Sequence, residues 1–259
     1  MRVGIRNRAL GLEPREALAT AAALGYDGVE AGVREPETLE RWQTDDGAAE
    51  VAGWRRESGC TVSSLSMDCR ANLVSPDAAA RLAGVTLIER ALGACRRIGG
   101  NALLVSHFER QRLQLSEPEE QTLVESLRRC ASAAAETQVM VALETTFPAA
   151  QLRRIVDGAG SPWIGVYHDL ANTFIFGYDP AQMLRELGAA VRMIHVKDSG
   201  DGARAVSRLG TGRLDWIACR AALRATGYDG WLVVENPMDD DPIGTATHNL
   251  AFIRRWLSA

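Results

Sequence analysis

The chain has 259 residues, 46% of them apolar, and its 29 Lys and Arg against 33 Asp and Glu leave a formal charge of −4. That length and apolar share suit one large α/β domain and exclude a disordered chain. The mild charge, without a basic run, excludes a nucleic-acid footprint, and no apolar stretch approaches the roughly 18 residues that cross a bilayer.

The first residues, MRVGIRNRAL, enter an alternating strand directly with no apolar leader core, so the expectation is a soluble, cytoplasmic protein. Strand patterns then follow at Arg2–Arg6, Asp27–Glu30, Thr61–Ser66, Ala102–Ser106, Val139–Glu144, Ile164–Asp169, Arg192–Val196 and Trp231–Glu235. Helical patterns fall between them, clearest at Glu13–Leu24, Val85–Ile98, Glu119–Glu136, Pro180–Leu187, Leu214–Thr226 and Thr245–Leu257. Strands alternating with helices predict parallel βαβ units, and eight units of about 32 residues predict a single (β/α)8 barrel domain spanning 1–259. The phrase Leu-Gly-Tyr-Asp-Gly at 24–28 returns as Thr-Gly-Tyr-Asp-Gly at 226–230, each time with a glycine ending a helix before a strand. The glycine-rich stretch Ser199–Gly212 after the seventh strand reads as a mobile loop. The cysteines (Cys60, Cys69, Cys95, Cys130, Cys219) are odd in number and contain no CxxC, which predicts reduced thiols and neither a disulfide framework nor a cysteine zinc site.

Residues two apart on a strand share a face. With Val141 and Leu143 facing the helices, Glu144 faces the barrel axis; the same register turns Asp169, His195 and Glu235 inward on the next three strands. Each stands at the C-terminal strand end, where barrel active sites are built. Three carboxylates aimed at one point repel and lose charge unless a cation joins them. Any one of these residues alone would read as a loop or cap residue; the same registration on four consecutive strands predicts a metal site. An oxygen-rich set with one nitrogen suits Mn²⁺, with Mg²⁺, Co²⁺ and Zn²⁺ as alternatives. Other polar residues at the same end are candidates for substrate contact. Glu30 either meets a hydroxyl or anchors a loop; His107 ends the fourth strand; Asn172 either binds substrate or caps a turn. Lys197, the only lysine, either shares the inward face of His195 or pairs with Asp198, and Arg204 and Arg208 sit in the glycine-rich loop. His168 faces outward and reads as structural. Trp42, Trp54 and Phe108 either wall the pocket or belong to the core.

The segments VALETT, YHDLANT, IHVKDS, LGTGRLDW and GYDGWLVVEN resemble, in order, the signature segments of the xylose-isomerase-like sugar isomerase/epimerase superfamily, over essentially the whole chain. The resemblance is nearest to ketose 3-epimerases and sugar-phosphate epimerases, and it implies that Glu144, Asp169, His195 and Glu235 bind one metal while the two glutamates serve as acid and base. Departures bear on the substrate: Thr211 stands where an acid is common, Asn172 where histidine is common, and Ser106-His107-Phe108 replaces a glycine-rich turn. The implied reaction is glutamate-mediated proton transfer through a metal-stabilised enediolate on a keto-sugar or sugar phosphate, with 3-epimerisation favoured. An inosose-type dehydratase shares the first step. An apurinic-type endonuclease would need more histidines than the four present, and a non-catalytic sugar-binding barrel would have lost a glutamate. The partner is a small-molecule sugar or sugar phosphate, without nucleic acid or membrane; whether the chain forms a homo-oligomer is left open.

Overall fold

The computed structural model describes residues 1–33, 35–67, 71–107, 114–201 and 204–259. Cys69, Phe108 and Gly202 therefore lie outside the described residues. The barrel strands are β1 (Arg2–Arg6), β2 (Gly28–Val33), β3 (Thr61–Met67), β4 (Ala102–His107), β5 (Met140–Thr145), β6 (Ile164–Asp169), β7 (Val191–Val196) and β10 (Trp231–Val234). They pair in parallel and close in the order β1-β10-β7-β6-β5-β4-β3-β2. Between β7 and β10, β8 (Asp198–Ser199) and β9 (Ala205–Val206) form a short antiparallel ribbon. The outer ring is α1 (Pro14–Leu24), α2 (Pro36–Trp42), α3 (Asp45–Ser58), α4 (Ala78–Arg97), α5 (Glu117–Thr137), α6 (Ala149–Ala159), α7 (Leu170–Ile175), α8 (Pro180–Leu187), α9 (Trp216–Thr226) and α10 (Pro242–Ser258). No described helix is long and apolar enough to cross a membrane.

The alternation along the strands sorts their side chains into two cores. One set, including Val141, Leu143, Val166 and Ile194, packs against the helices. The other, Ala102, Leu104, Ala142, Tyr167, Met193, Trp231 and Val233, fills the barrel interior with Met140 against it. A Cβ at Gly28 would stand 2.7 Å from the Trp231 ring, so the indole takes the space that glycine leaves. The recurring phrase does the same work twice: Gly25 (φ +92°) ends α1 and Gly227 (φ +66°) ends α9, both left-handed.

β2 runs three residues beyond the predicted Asp27–Glu30, and α4 begins at Ala78 rather than Val85. Four helices, α2, α3, α6 and α7, stand where the sequence reading assigned none. In α6 the signal was present: Leu152, Ile155, Val156 and Ala159 are buried at helical spacing. Trp42 is buried in the helix–strand core and Trp54 packs on it, so neither walls the barrel mouth.

Candidate metal and active centre

Four strands that are neighbours in the barrel bring their C-terminal ends together: β5 ends with Glu144 and Thr145, β6 with Asp169, β7 with His195 and Val196, and Glu235 follows β10. One ligand atom from each of Glu144, Asp169, His195 and Glu235 lies within 4.8 Å of the others. Glu144, Asp169 and His195 are buried. The Glu235 side chain is 15% exposed and faces a cavity of about 310 Å³ that Arg6, Lys197 and Ala205 also line.

The imidazole is held from both sides. Nδ1 lies 3.4 Å from Glu144 Oε1 and 3.2 Å from Glu235 Oε2. Nε2 lies 3.2 Å from Glu30 Oε1. Glu30 is fully buried and also accepts hydrogen bonds from Ser64 Oγ (2.8 Å) and Tyr167 Oη (2.7 Å). Glu30 thus spends its carboxylate on contacts inside the barrel. It meets His195 at Nε2, on the far side of the ring from Glu144 and Glu235, and so fixes the ring's orientation.

Lys197 reaches the cluster as well. Its Nζ is 2.8 Å from Glu235 Oε2 and 2.7 Å from Asp169 Oδ2, the latter an ion-pair contact without hydrogen-bond alignment. The alternative pairing with Asp198 does not form, because Asp198 is committed to backbone N–H groups of the following loop. Arg6, at the end of β1, pairs with Glu235 and donates to Ser66 Oγ at 3.0 Å. The sequence reading passed over Arg6. The alternation that turned Glu144 inward applies equally to β1, where buried Val3 and Ile5 face the helices and Arg6 therefore faces the axis.

Asn172 is itself capped rather than capping, and its side chain turns to the cluster. Its backbone N–H is capped by Asp169 Oδ1 at 2.8 Å, and its Nδ2 donates to Glu144 Oε1 at 3.1 Å, which orients the carboxylate. His107 ends β4 with its ring 5.6 Å from that of Phe147, outside the four-residue cluster. His168 is buried with Nε2 3.3 Å from Pro180 O, a structural placement. The loop after β7 is pinned at its base rather than free: Leu209 is buried and its N–H bonds Asn249 Oδ1 at 2.9 Å. Arg208 leans on α10 through Thr245 Oγ1 at 3.3 Å. Arg204 is exposed, and it is Ala205 that lines the cavity. Neither arginine is among the residues that line that cavity.

The charges decide what the cluster can hold. Burial pushes Asp169 up, Glu144 and Glu235 add to it against Lys197, and its carboxyl rises to about 7. Burial pushes His195 down, but Glu235 and Glu30 outweigh it and hold the imidazole well above its ordinary value. Burial likewise pushes Glu235 up, and His195, Lys197 and Arg6 reverse it, leaving its carboxyl below the usual range. Among the described residues the acids outnumber the permanent cations paired with them: Glu30, Glu144, Asp169 and Glu235 against Arg6 and Lys197. One divalent ion with a neutral His195 closes that difference of two charges, so the donor set fits such an ion in both composition and charge.

Against known proteins, the profile of the family described as xylose isomerase-like TIM barrel matches residues 18–256. The L-ribulose-5-phosphate 3-epimerase UlaE of Salmonella paratyphi C is 25% identical over 256 residues, covering 94% of this chain and 88% of that protein. Among solved structures, the 3-keto-D-glucoside 4-epimerase YcjR from E. coli superposes with a TM-score of 0.80 at 24% identity, covering 98% of this chain and 99% of that one. The IOLI protein, solved with a binding zinc atom, superposes at 0.83 with 17% identity, covering 100% and 98%.

Proposed function

This chain belongs to the xylose isomerase-like TIM barrel family, and on that premise we propose that it is a divalent-metal-dependent sugar epimerase that inverts the carbon beside a ketone. The observation that carries the reading is the placement of two glutamates at the two ends of a four-strand arc, with Asp169 and His195 between them. A metal held by Glu144, Asp169, His195 and Glu235 would polarise a ketone and stabilise the enediolate. The donor set favours Mn²⁺, to be tested against Mg²⁺, Co²⁺ and Zn²⁺.

The protein groups then divide the work. Glu144 and Glu235 approach a bound sugar from opposite sides, so one removes the proton and the other returns it on the far face. His195, Lys197 and Arg6 keep Glu235 ionised against its burial. Asn172 aims Glu144. Glu30 holds the His195 ring. The named relatives act on sugars, L-ribulose 5-phosphate and a 3-keto-glucoside, and they epimerise carbons next to a ketone, which supports the same class here.

The test is deuterium exchange. Metal-loaded protein is incubated in D₂O with a panel of ketoses and followed by NMR. The expected result is loss of one carbon-bound proton signal beside the ketone together with appearance of the epimer. Aldose formation would make it an isomerase, and loss of water would make it a dehydratase; either outcome overturns the epimerase reading.

A further inference from the structure

A second cavity, of about 470 Å³, opens beside the one over Glu235, and the two share Arg8 and Met238 as a common wall. We propose that this second cavity receives a neutral sugar ring attached to the reacting ketose, so that the substrate class is a glycosyl-substituted keto-sugar. This rests on the epimerase reading for the reacting half and adds the non-reacting half.

Size is the first argument. About 310 Å³ over Glu235 lies at the lower end of small-molecule sites, and the neighbouring space more than doubles it. A lone monosaccharide has no use for that extra room.

The lining is the second argument. Part of it is polar, with Arg8, Glu13, Glu35 and Thr38 offering donors and acceptors. Part is apolar, with Leu12, Pro14 and the thioether of Met238, a residue left 61% exposed. A pyranose ring has the same division, with equatorial hydroxyls around its rim and C–H groups on its faces. The local backbone shapes this opening. Gly32, at the end of β2, leaves a gap in which a Cβ would stand 3.0 Å from Asn7 Oδ1 and 3.5 Å from Arg8 Nε. Gly11 is left-handed (φ +68°), and Met238 Sδ lies 2.6 Å from where its Cβ would be, so the methionine lies along bare backbone at the junction of the two cavities.

Charge is the third argument, and it separates a glycosyl group from a phosphate. Glu13 and Glu35 are the N-cap residues of α1 and α2, so the helix starts near the cavity already carry negative charge. Among the described lining residues one guanidinium stands against two carboxylates. A phosphate would find no excess of positive charge among these residues, whereas neutral hydroxyls can donate to Glu13 and Glu35 and accept from Arg8.

Three probes share one ketose and differ only at O6: D-fructose, isomaltulose (which carries a glucosyl group) and D-fructose 6-phosphate. Each is titrated calorimetrically into metal-loaded protein and into the cavity-filling variants Leu12→Trp and Thr38→Trp; the second variant covers a failure of the first to fold. The expected result is isomaltulose binding at least about tenfold more tightly than fructose, with that gain lost in the folded variants while fructose binding is kept. Equal affinities, a gain that survives both variants, or tighter binding of the phosphate would overturn the proposal. Deuterium exchange is read in the same samples. Tight isomaltulose binding without exchange leaves the cavity assignment standing and removes the epimerase reading. Exchange of fructose with no gain for isomaltulose does the reverse.

Discussion

Asp169 and Asp198 are both buried aspartates, one at the end of β6 and one just past β7, yet the chain treats them in opposite ways. Asp198 accepts from the backbone N–H groups of Ser199 (2.8 Å), Gly210 (2.9 Å), Gly212 (3.0 Å) and Leu214 (3.2 Å), and from Trp216 Nε1 (3.1 Å). A Cβ at Gly212 would stand 2.3 Å from Asp198 Oδ1, which is why the stretch Leu209-Gly210-Thr211-Gly212 needs a glycine there. Asp169 has one backbone donor, from Asn172, and its other oxygen faces Lys197 among further acids. A carboxylate surrounded by neutral N–H donors has its charge fully answered by local structure, whereas one surrounded by carboxylates requires a cation. Burial alone does not separate a structural acid from a functional one; the supply of donors does.

The sharpest break in the comparison should come from the glutamates that share the proposed metal centre with Asp169. Glu144→Gln and Glu235→Gln keep shape and remove basicity, and each is expected to lower proton exchange by about 10²–10⁴-fold with the fold intact. Metal content measured beside exchange separates lost basicity from lost metal. Exchange near the wild-type rate in either variant would refute the two-glutamate scheme.

The two aspartates should then part company under the same substitution. Asp169→Asn is expected to weaken metal binding by more than the 10–100-fold that loss of a supporting residue costs, while the melting temperature of the metal-free protein holds or rises as repulsion is relieved. Asp198→Asn should do the opposite. It swaps a charged acceptor of five donors for a neutral one, a loss of about 3 kcal/mol, and the melting temperature should fall by about 6–12 °C with metal stoichiometry unchanged. Calorimetry and metal analysis on the two purified variants check both halves; equal behaviour of the pair would erase the distinction.

Glu30 sits between the two types, fully buried like Asp198 but touching His195 of the candidate metal centre. Glu30→Gln is expected to reduce metal affinity about 10–100-fold, measured by competition with a chelating dye. Unchanged affinity would make Glu30 a purely structural acid. The smallest effect is expected far from the site. Burial raises the thiols of Cys60 to about 11 and of Cys95, Cys130 and Cys219 to about 12, so at pH 8 they stay protonated and inaccessible. Ellman's reagent should leave Cys60, Cys95, Cys130 and Cys219 unmodified in native protein and titrate all five thiols in denaturant. Two or more reactive native thiols would mean that the outer core opens more readily than its packing implies.

Period-two alternation and the order of strands and helices determined, from the sequence alone, a barrel and the convergence of Glu144, Asp169, His195 and Glu235, because a strand's two faces are dictated by covalent geometry and both are legible one residue at a time. The same rule was sufficient for Arg6. What alternation cannot supply is partner choice across the barrel. Lys197 joins Asp169 and Glu235 rather than its neighbour Asp198 because the loop after β7 folds back and satisfies Asp198 with N–H groups from 12 to 16 residues away. Glu30 turns from a mouth residue into the support of His195 because β2 shifts register against β3 after Val29 and sets Glu30 beside Ser64, below the rim. Tyr167 donates to that same carboxylate from β6, 137 residues along the chain. Contacts of that range depend on how the barrel closes, and only the closed sheet brings them together.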